Sequence, residues 1–131
     1  MQLLLDTHVV LRWLFEPKRL SREQIRVVRL ADRRGTAVGL SAVSLLEIAT
    51  WASERRRGVG AMNEDIFALL ETNPMFRILP ITIPIAVDAG RLSVLRDPAD
   101  RAIVATARVH GLRLLTSDQR IIASKLVSFI D

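Results

Sequence analysis

Short apolar runs alternate along this chain with longer stretches whose apolar residues recur at helical spacing. Gln2–Leu5 reads as a short strand closed by Asp6, and Thr7–Phe15 as a helix that Pro17 ends. Ser21–Arg33 is a second helix, with Ser21 as N-cap, Glu23 in its first turn and Gly35 as its stop. Thr36–Leu40 is a second strand, after which Ser41 caps a helix running to about Arg57, before Gly58 and Gly60. Asn63–Glu71 is a fourth helix, Arg77–Pro80 a third strand and Ile85–Leu95 a fifth helix. Pro98, at a first helical position, opens another helix that ends near His110-Gly111. Leu112–Thr116 is a fourth strand, and Leu126–Ile130 a fifth after the short helix Gln119–Ser124.

Strands alternating with helices imply right-handed crossovers. The expected fold class is therefore α/β: three layers, with a central, mainly parallel sheet of four to five strands flanked by helices. At 131 residues, with half of them hydrophobic and no internal repeat, 1–131 reads as a single domain with a core that needs no staples. Sheets of this kind carry their sites outside the carboxyl ends of the strands, so the residues just beyond each strand carry the functional reading. Asp6 comes after the first strand. Ser41 comes after the second, with Glu47 one to two turns into the helix beyond. Ser117 and Asp118 come after the fourth.

Each acid also has a purely structural explanation. Asp6 and Asp118 suit N-caps, where Asp is worth about 1 kcal/mol over Ala. Glu47 lies on a polar stripe of Ser41, Ser44, Thr50 and Glu54 that solvent alone would explain, although the stripe is mostly small hydroxyls and carries no cation. Pro98 keeps Asp97 out of the helical region and makes it the natural cap, and Asp100 then complements the helix dipole. Asp100 leads into the small-residue helix Ala102-Ile103-Val104-Ala105-Thr106-Ala107, fit for close packing on a sheet and for holding Asp100 rigidly. The functional reading requires these acids to converge on one edge. Two carboxylates 4 Å apart repel by about 4 kcal/mol at an effective dielectric near 20, a cost that a hard cation such as Mg²⁺ or Mn²⁺ relieves. Such an ion would polarise a phosphate and activate water for in-line attack, with no His or Lys base required.

Charge changes the picture of partners. Nineteen Lys+Arg against 14 Asp+Glu give +5, nearly all of it Arg, which suits phosphate. Arg22, Arg26, Arg29 and Arg33 form a stripe on the second helix: either a solvated face paired with Glu23 and Asp32, or a contact for RNA backbone. The absence of Cys excludes disulfides, a thiolate zinc site and a cysteine nucleophile. No basic leader and no apolar run near membrane-span length is present, so a cytoplasmic protein without a membrane partner is expected. Gly58-Val59-Gly60 makes neither a P-loop nor a dinucleotide fingerprint, and Asp6-Thr7-His8 lacks the second Asp of a phosphoacceptor site. Trp13, Phe15 and Trp51 read as core or interface residues, and His8 and His110 as structural.

Taken in order, Leu4-Leu5-Asp6-Thr7-His8, Ser44-Leu45-Leu46-Glu47-Ile48, the segment Asp97 to Ala107, and Leu114-Leu115-Thr116-Ser117-Asp118 match a known pattern over nearly the whole chain. The chain resembles the PIN-domain ribonucleases, and within them the VapC toxins of toxin–antitoxin pairs. The resemblance implies a metal-dependent endoribonuclease in which Asp6, Glu47, Asp100 and Asp118 are the catalytic, Mg²⁺- or Mn²⁺-binding acids. It also implies auxiliary places for Asp97, Thr7, Thr116 and Ser117, and for Arg101 either a contact to substrate phosphate or a pair with Asp97. Ala99 departs from the Phe that relatives often carry there. The implied partners are structured RNA, transfer RNA among them, a small VapB-like antitoxin and a second copy of the chain in a homodimer. The rival expectation is a non-catalytic nucleic-acid or protein-binding module on the same fold.

Overall fold

The computed structural model describes residues 1–54 and 59–131. Five short strands, β1 (Leu3–Leu5), β2 (Val38–Ser41), β3 (Phe76–Leu79), β4 (Arg113–Leu115) and β5 (Phe129–Ile130), form one sheet in the order β3-β2-β1-β4-β5. Every pairing is parallel. The chain builds outward from β1 on one side through β2 and β3, then returns to lay β4 and β5 on the other. The order therefore reverses between β1 and β4.

The helices are α1 (Thr7–Phe15), α2 (Arg22–Arg33), α3 (Ala42–Glu54), α4 (Val59–Thr72), α5 (Ile83–Arg91), α6 (Pro98–His110) and α7 (Gln119–Ser124), with a short 3₁₀ turn at Pro17–Arg19. The expected extension of the third helix to Arg57, with its Arg55-Arg56-Arg57 run, lies outside the described residues. Side chains alternate across β1. Leu3 and Leu5 enter a core with Val9, Val28 and Ile48, while Leu4 enters a second core with Ile85, Ile103 and Ile121. The three-layer, parallel α/β architecture is thus the one the alternation implied.

The ends of elements differ from expectation in places. The fifth helix starts and stops earlier, at Ile83 and Arg91, because the Thr82 hydroxyl caps it by accepting from the Ile85 N–H at 3.4 Å. Ser41 closes β2 and still serves the next helix, its hydroxyl accepting from the Val43 N–H at 3.3 Å. In α2 the capping box forms in full. Ser21 accepts from the Gln24 N–H at 3.0 Å, and Gln24 Oε1 accepts from the Ser21 N–H at 3.2 Å. Helix α6 ends at Gly111, whose φ of 65° favours glycine. The small residues of α6 allow close packing: Ile103 to Ala107 are all fully buried.

Candidate functional site

The carboxyl ends of β1 and β4 lie side by side where the strand order reverses, the crevice such sheets use for ligands. Asp6 leaves β1 here with only 4% of its surface exposed. It occupies the N-cap of α1 with extended backbone, yet its side chain makes no cap hydrogen bond. Instead its Oδ2 accepts from the Thr116 hydroxyl at 2.9 Å. Burial raises the Asp6 carboxyl above its ordinary value. The Thr116 bond, His8 and the Thr7 N–H act against that rise, and the charge of Glu47 adds to it.

Thr116 is fully buried and joins two of the acids. While donating to Asp6, its hydroxyl accepts from the Asp118 N–H at 3.0 Å. Asp118 caps α7, its Oδ1 accepting from the Arg120 N–H at 2.9 Å and lying 3.5 Å from Arg120 Nε. Ser117, between them, is exposed.

Glu47 enters from α3, half-buried. The Thr7 hydroxyl lies 2.6 Å from Glu47 Oε1 and 2.8 Å from Ser44 Oγ. One hydroxyl has one proton, and the carboxylate is the stronger acceptor, so Thr7 donates to Glu47 and Ser44 donates to Thr7. Thr7 and Ser44 are both buried.

Asp97 caps α6, its Oδ1 accepting from the Ala99 N–H at 2.9 Å. Asp100 stands in the first turn, half-buried. Burial and then the charges of Asp97, Asp118, Asp6 and Glu47 push the Asp100 carboxyl from 3.8 to about 6. The residues drawn from four separate stretches of sequence therefore share one electrostatic neighbourhood. Arg101 forms no ion pair with Asp97; its Nε donates to the Leu95 carbonyl and ties down the loop before α6.

A hard divalent cation is the chemistry this neighbourhood fits. All the donors are carboxylate and hydroxyl oxygens, and a carboxylate raised to about 6 by burial and by neighbouring acids is stabilised in its ionised form by added positive charge. Among the described residues, no three acids are drawn into a closed ligand cage. Their charges are nonetheless felt together at Asp100. Repulsion among like charges disfavours a tighter cluster unless a cation is bound.

Sequence reasoning missed Gln24. This side chain is 1% exposed, and its amide donates to the carbonyls of Thr116 at 3.4 Å and Ile130 at 3.1 Å. It pins the backbone of the residue that links Asp6 to Asp118. The capping box was the available signal, since a capping Gln whose amide faces inward must find buried acceptors. The structure also stacks Phe15 on Trp51, with ring centroids 6.2 Å apart, at a groove shared with His8, Arg12 and Arg19.

The PIN domain family model matches residues 3–125. Ribonuclease VapC22 of Mycobacterium tuberculosis is 37% identical over 120 residues, covering 90% of this chain and 88% of that protein. Among solved structures, FitAcB from Neisseria gonorrhoeae superposes with a TM-score of 0.70 at 26% identity, over 99% of this chain and 97% of that one. VapBC2 from Rickettsia felis, bound to a DNA fragment from its promoter, superposes with a TM-score of 0.77 over 99% and 98%. At 12% identity the latter likeness speaks for the fold alone.

Proposed function

The chain belongs to the PIN-domain family, and on that premise we propose that it is an endoribonuclease of the VapC kind, the toxin of a toxin–antitoxin pair. The observation that carries the catalytic reading is the common electrostatic neighbourhood of Asp100 with Asp6, Glu47, Asp97 and Asp118. Asp6, Glu47, Asp100 and Asp118 are the proposed ligands of Mg²⁺ or Mn²⁺. When bound, such an ion supplies positive charge against the phosphodiester and favours ionised water as the attacking group.

The chain's own residues prepare that site. Thr116 holds one oxygen of Asp6 in place. Thr7, backed by Ser44, does the same for Glu47. Asp97 and Asp118 spend one oxygen each on a helix cap, which fixes their side chains but lowers their capacity as ligands. We assign Asp97 and Ser117 auxiliary places and Arg101 a loop-holding role that can coexist with a substrate contact. The likeness to a VapC ribonuclease makes a small VapB-like antitoxin the proposed partner. A homodimer and a cytoplasmic location complete the reading. No described helix is long and apolar enough to cross a membrane.

Purified protein is expected to cut RNA with Mg²⁺ or Mn²⁺ and to stop in EDTA. Asp100→Asn is expected to lose roughly a thousandfold or more in rate while remaining folded, as loss of several kcal/mol of charge stabilisation implies. Metal-independent cleavage, or full activity in that variant, would overturn the assignment. RNA binding without cleavage under any metal would leave the non-catalytic module instead.

A further inference from the structure

We propose that the outward face of α2 is a track for RNA backbone phosphates, carrying substrate contact from the carboxylate edge down the flank of the molecule. This rests on the ribonuclease reading of the edge and adds a second surface to it.

Three observations carry it. The first is periodicity: at 100° per residue, Arg22, Arg26, Arg29 and Arg33 fall within about 60° of one another, opposite the buried Gln24 and Val28. The second is incomplete neutralisation. All four arginines are exposed. Arg26 is spent on Glu23, at 2.6 Å and 3.0 Å. Among the described residues, Arg22, Arg29 and Arg33 make no ion pair, and Asp32 takes none of them. A merely solvated face would be expected to use its acids as pairs. The third is placement. The first turn of α2 is anchored at the carboxylate edge. There Ser21 Oγ donates to the Asp131 carbonyl at 3.0 Å, and Gln24 donates to the carbonyls of Thr116 and Ile130.

From that anchor the helix runs about 18 Å, a length over which a nucleic-acid strand presents several phosphates. At its far end a groove of about 420 Å³ opens between α2 and the strand starts, lined by Arg26, Arg34 and Arg113 among others. The arginine fork suits phosphate oxygens in pairs. An RNA cut at the edge would thus be gripped along its length by charge alone, without base readout.

The test is binding, measured in EDTA by fluorescence anisotropy, of an RNA stem-loop long enough to span α2 and of a tetranucleotide. The triple variant R22Q/R29Q/R33Q is expected to weaken the stem-loop roughly tenfold or more and to lower its salt slope by about 2–3. The tetranucleotide should shift far less. R22K/R29K/R33K, which keeps the charge, should restore most of the affinity. R77Q/R91Q/R96Q, with the same change in net charge on other exposed arginines, should leave stem-loop affinity within about twofold. Stem-loop affinity and salt slope unchanged in the first variant, or lowered equally in the control triple, would overturn the proposal. Metal-dependent cleavage by the wild-type protein is scored separately. Binding that depends on α2 without any cleavage would sink the nuclease reading and leave the track standing.

Discussion

Two junctions of this molecule start from the same local design and end differently. At β1–α1 and at β4–α7, an apolar strand runs into an aspartate with extended backbone at the N-cap of a helix. Asp118 behaves as a cap, its carboxylate accepting from the Arg120 N–H. Asp6 does not, although it stands at a cap position. Its side chain is buried at the strand-order reversal and held by Thr116 from the neighbouring strand. The cap bond it gives up is worth about 1 kcal/mol. That aspartate forgoes the cap bond and is instead buried against Thr116, with the charge of Glu47 near it, as the proposed metal-ligand role requires. The junction without its cap bond is the one nearest the centre of the sheet, and the capped one lies where solvent can share the load.

The sharpest way to break this comparison is activity. Asp6→Asn is expected to lower kcat/KM on RNA roughly a thousandfold, while Asp118→Asn, whose carboxylate is partly committed to its cap, should lose roughly ten- to a hundredfold. Equal losses would mean that the two junctions do the same work. Next in size, Thr116→Val removes the bond to Asp6 and strands the Asp118 N–H. It should cost roughly ten- to a hundredfold in metal affinity or rate and about 1–2 kcal/mol in stability. Thr116→Ser should recover most of both, and a valine variant with unchanged metal affinity would deny Thr116 its linking role.

The pH dependence of metal-free stability is a smaller effect. Asp100 is raised from 3.8 to about 6, so the folded state binds its proton more tightly than the unfolded chain does. Stability from this group is therefore fully present below the unfolded value and is lost as pH rises through the folded one. That rise in pKa corresponds to about 3 kcal/mol, and roughly 2 after discounting for solvent at a half-buried group. Urea midpoints in EDTA should fall between about pH 4 and pH 7, and Asp100→Asn should flatten that fall. An unchanged slope in the variant would place the titration elsewhere. Smallest is the cap itself: Asp118→Ala should lose about 1 kcal/mol of metal-free stability. Asp6→Asn, with no cap to lose and one like charge removed, should lose none, and a comparable loss there would show that Asp6 does stabilise its helix.

Much of the fold was legible because it is local. The unbroken apolar run Leu3-Leu4-Leu5 marks a short strand, which the structure buries on both faces. Ser21 with Gln24, Pro98 and Gly111 mark helix ends through bonds within a few residues. Where boundaries slipped, as at Thr82 and Ser41, the reason was a side chain serving an element it was not counted with. The site was only half legible. The rule that sites lie beyond strand ends pointed to Asp6, Glu47 and Asp118, and the segment from Asp97 to Ala107 to Asp100, but nothing local separates Asp6 from Asp118 as caps. Nor does α2 show from its sequence which arginines its acids neutralise; the structure pairs Glu23 with Arg26 alone.

By itself the sequence determined the alternating elements, the parallel α/β class and which acids stand at strand ends, because hydrophobic period and capping chemistry act over a few residues. Only the tertiary structure decided that β4 lies against β1, and with it that Thr116 reaches Asp6 across 110 positions of chain. Strand order is settled by burial of whole faces against one another. Such burial sums over contacts distant in sequence, and no single stretch of the chain carries its record.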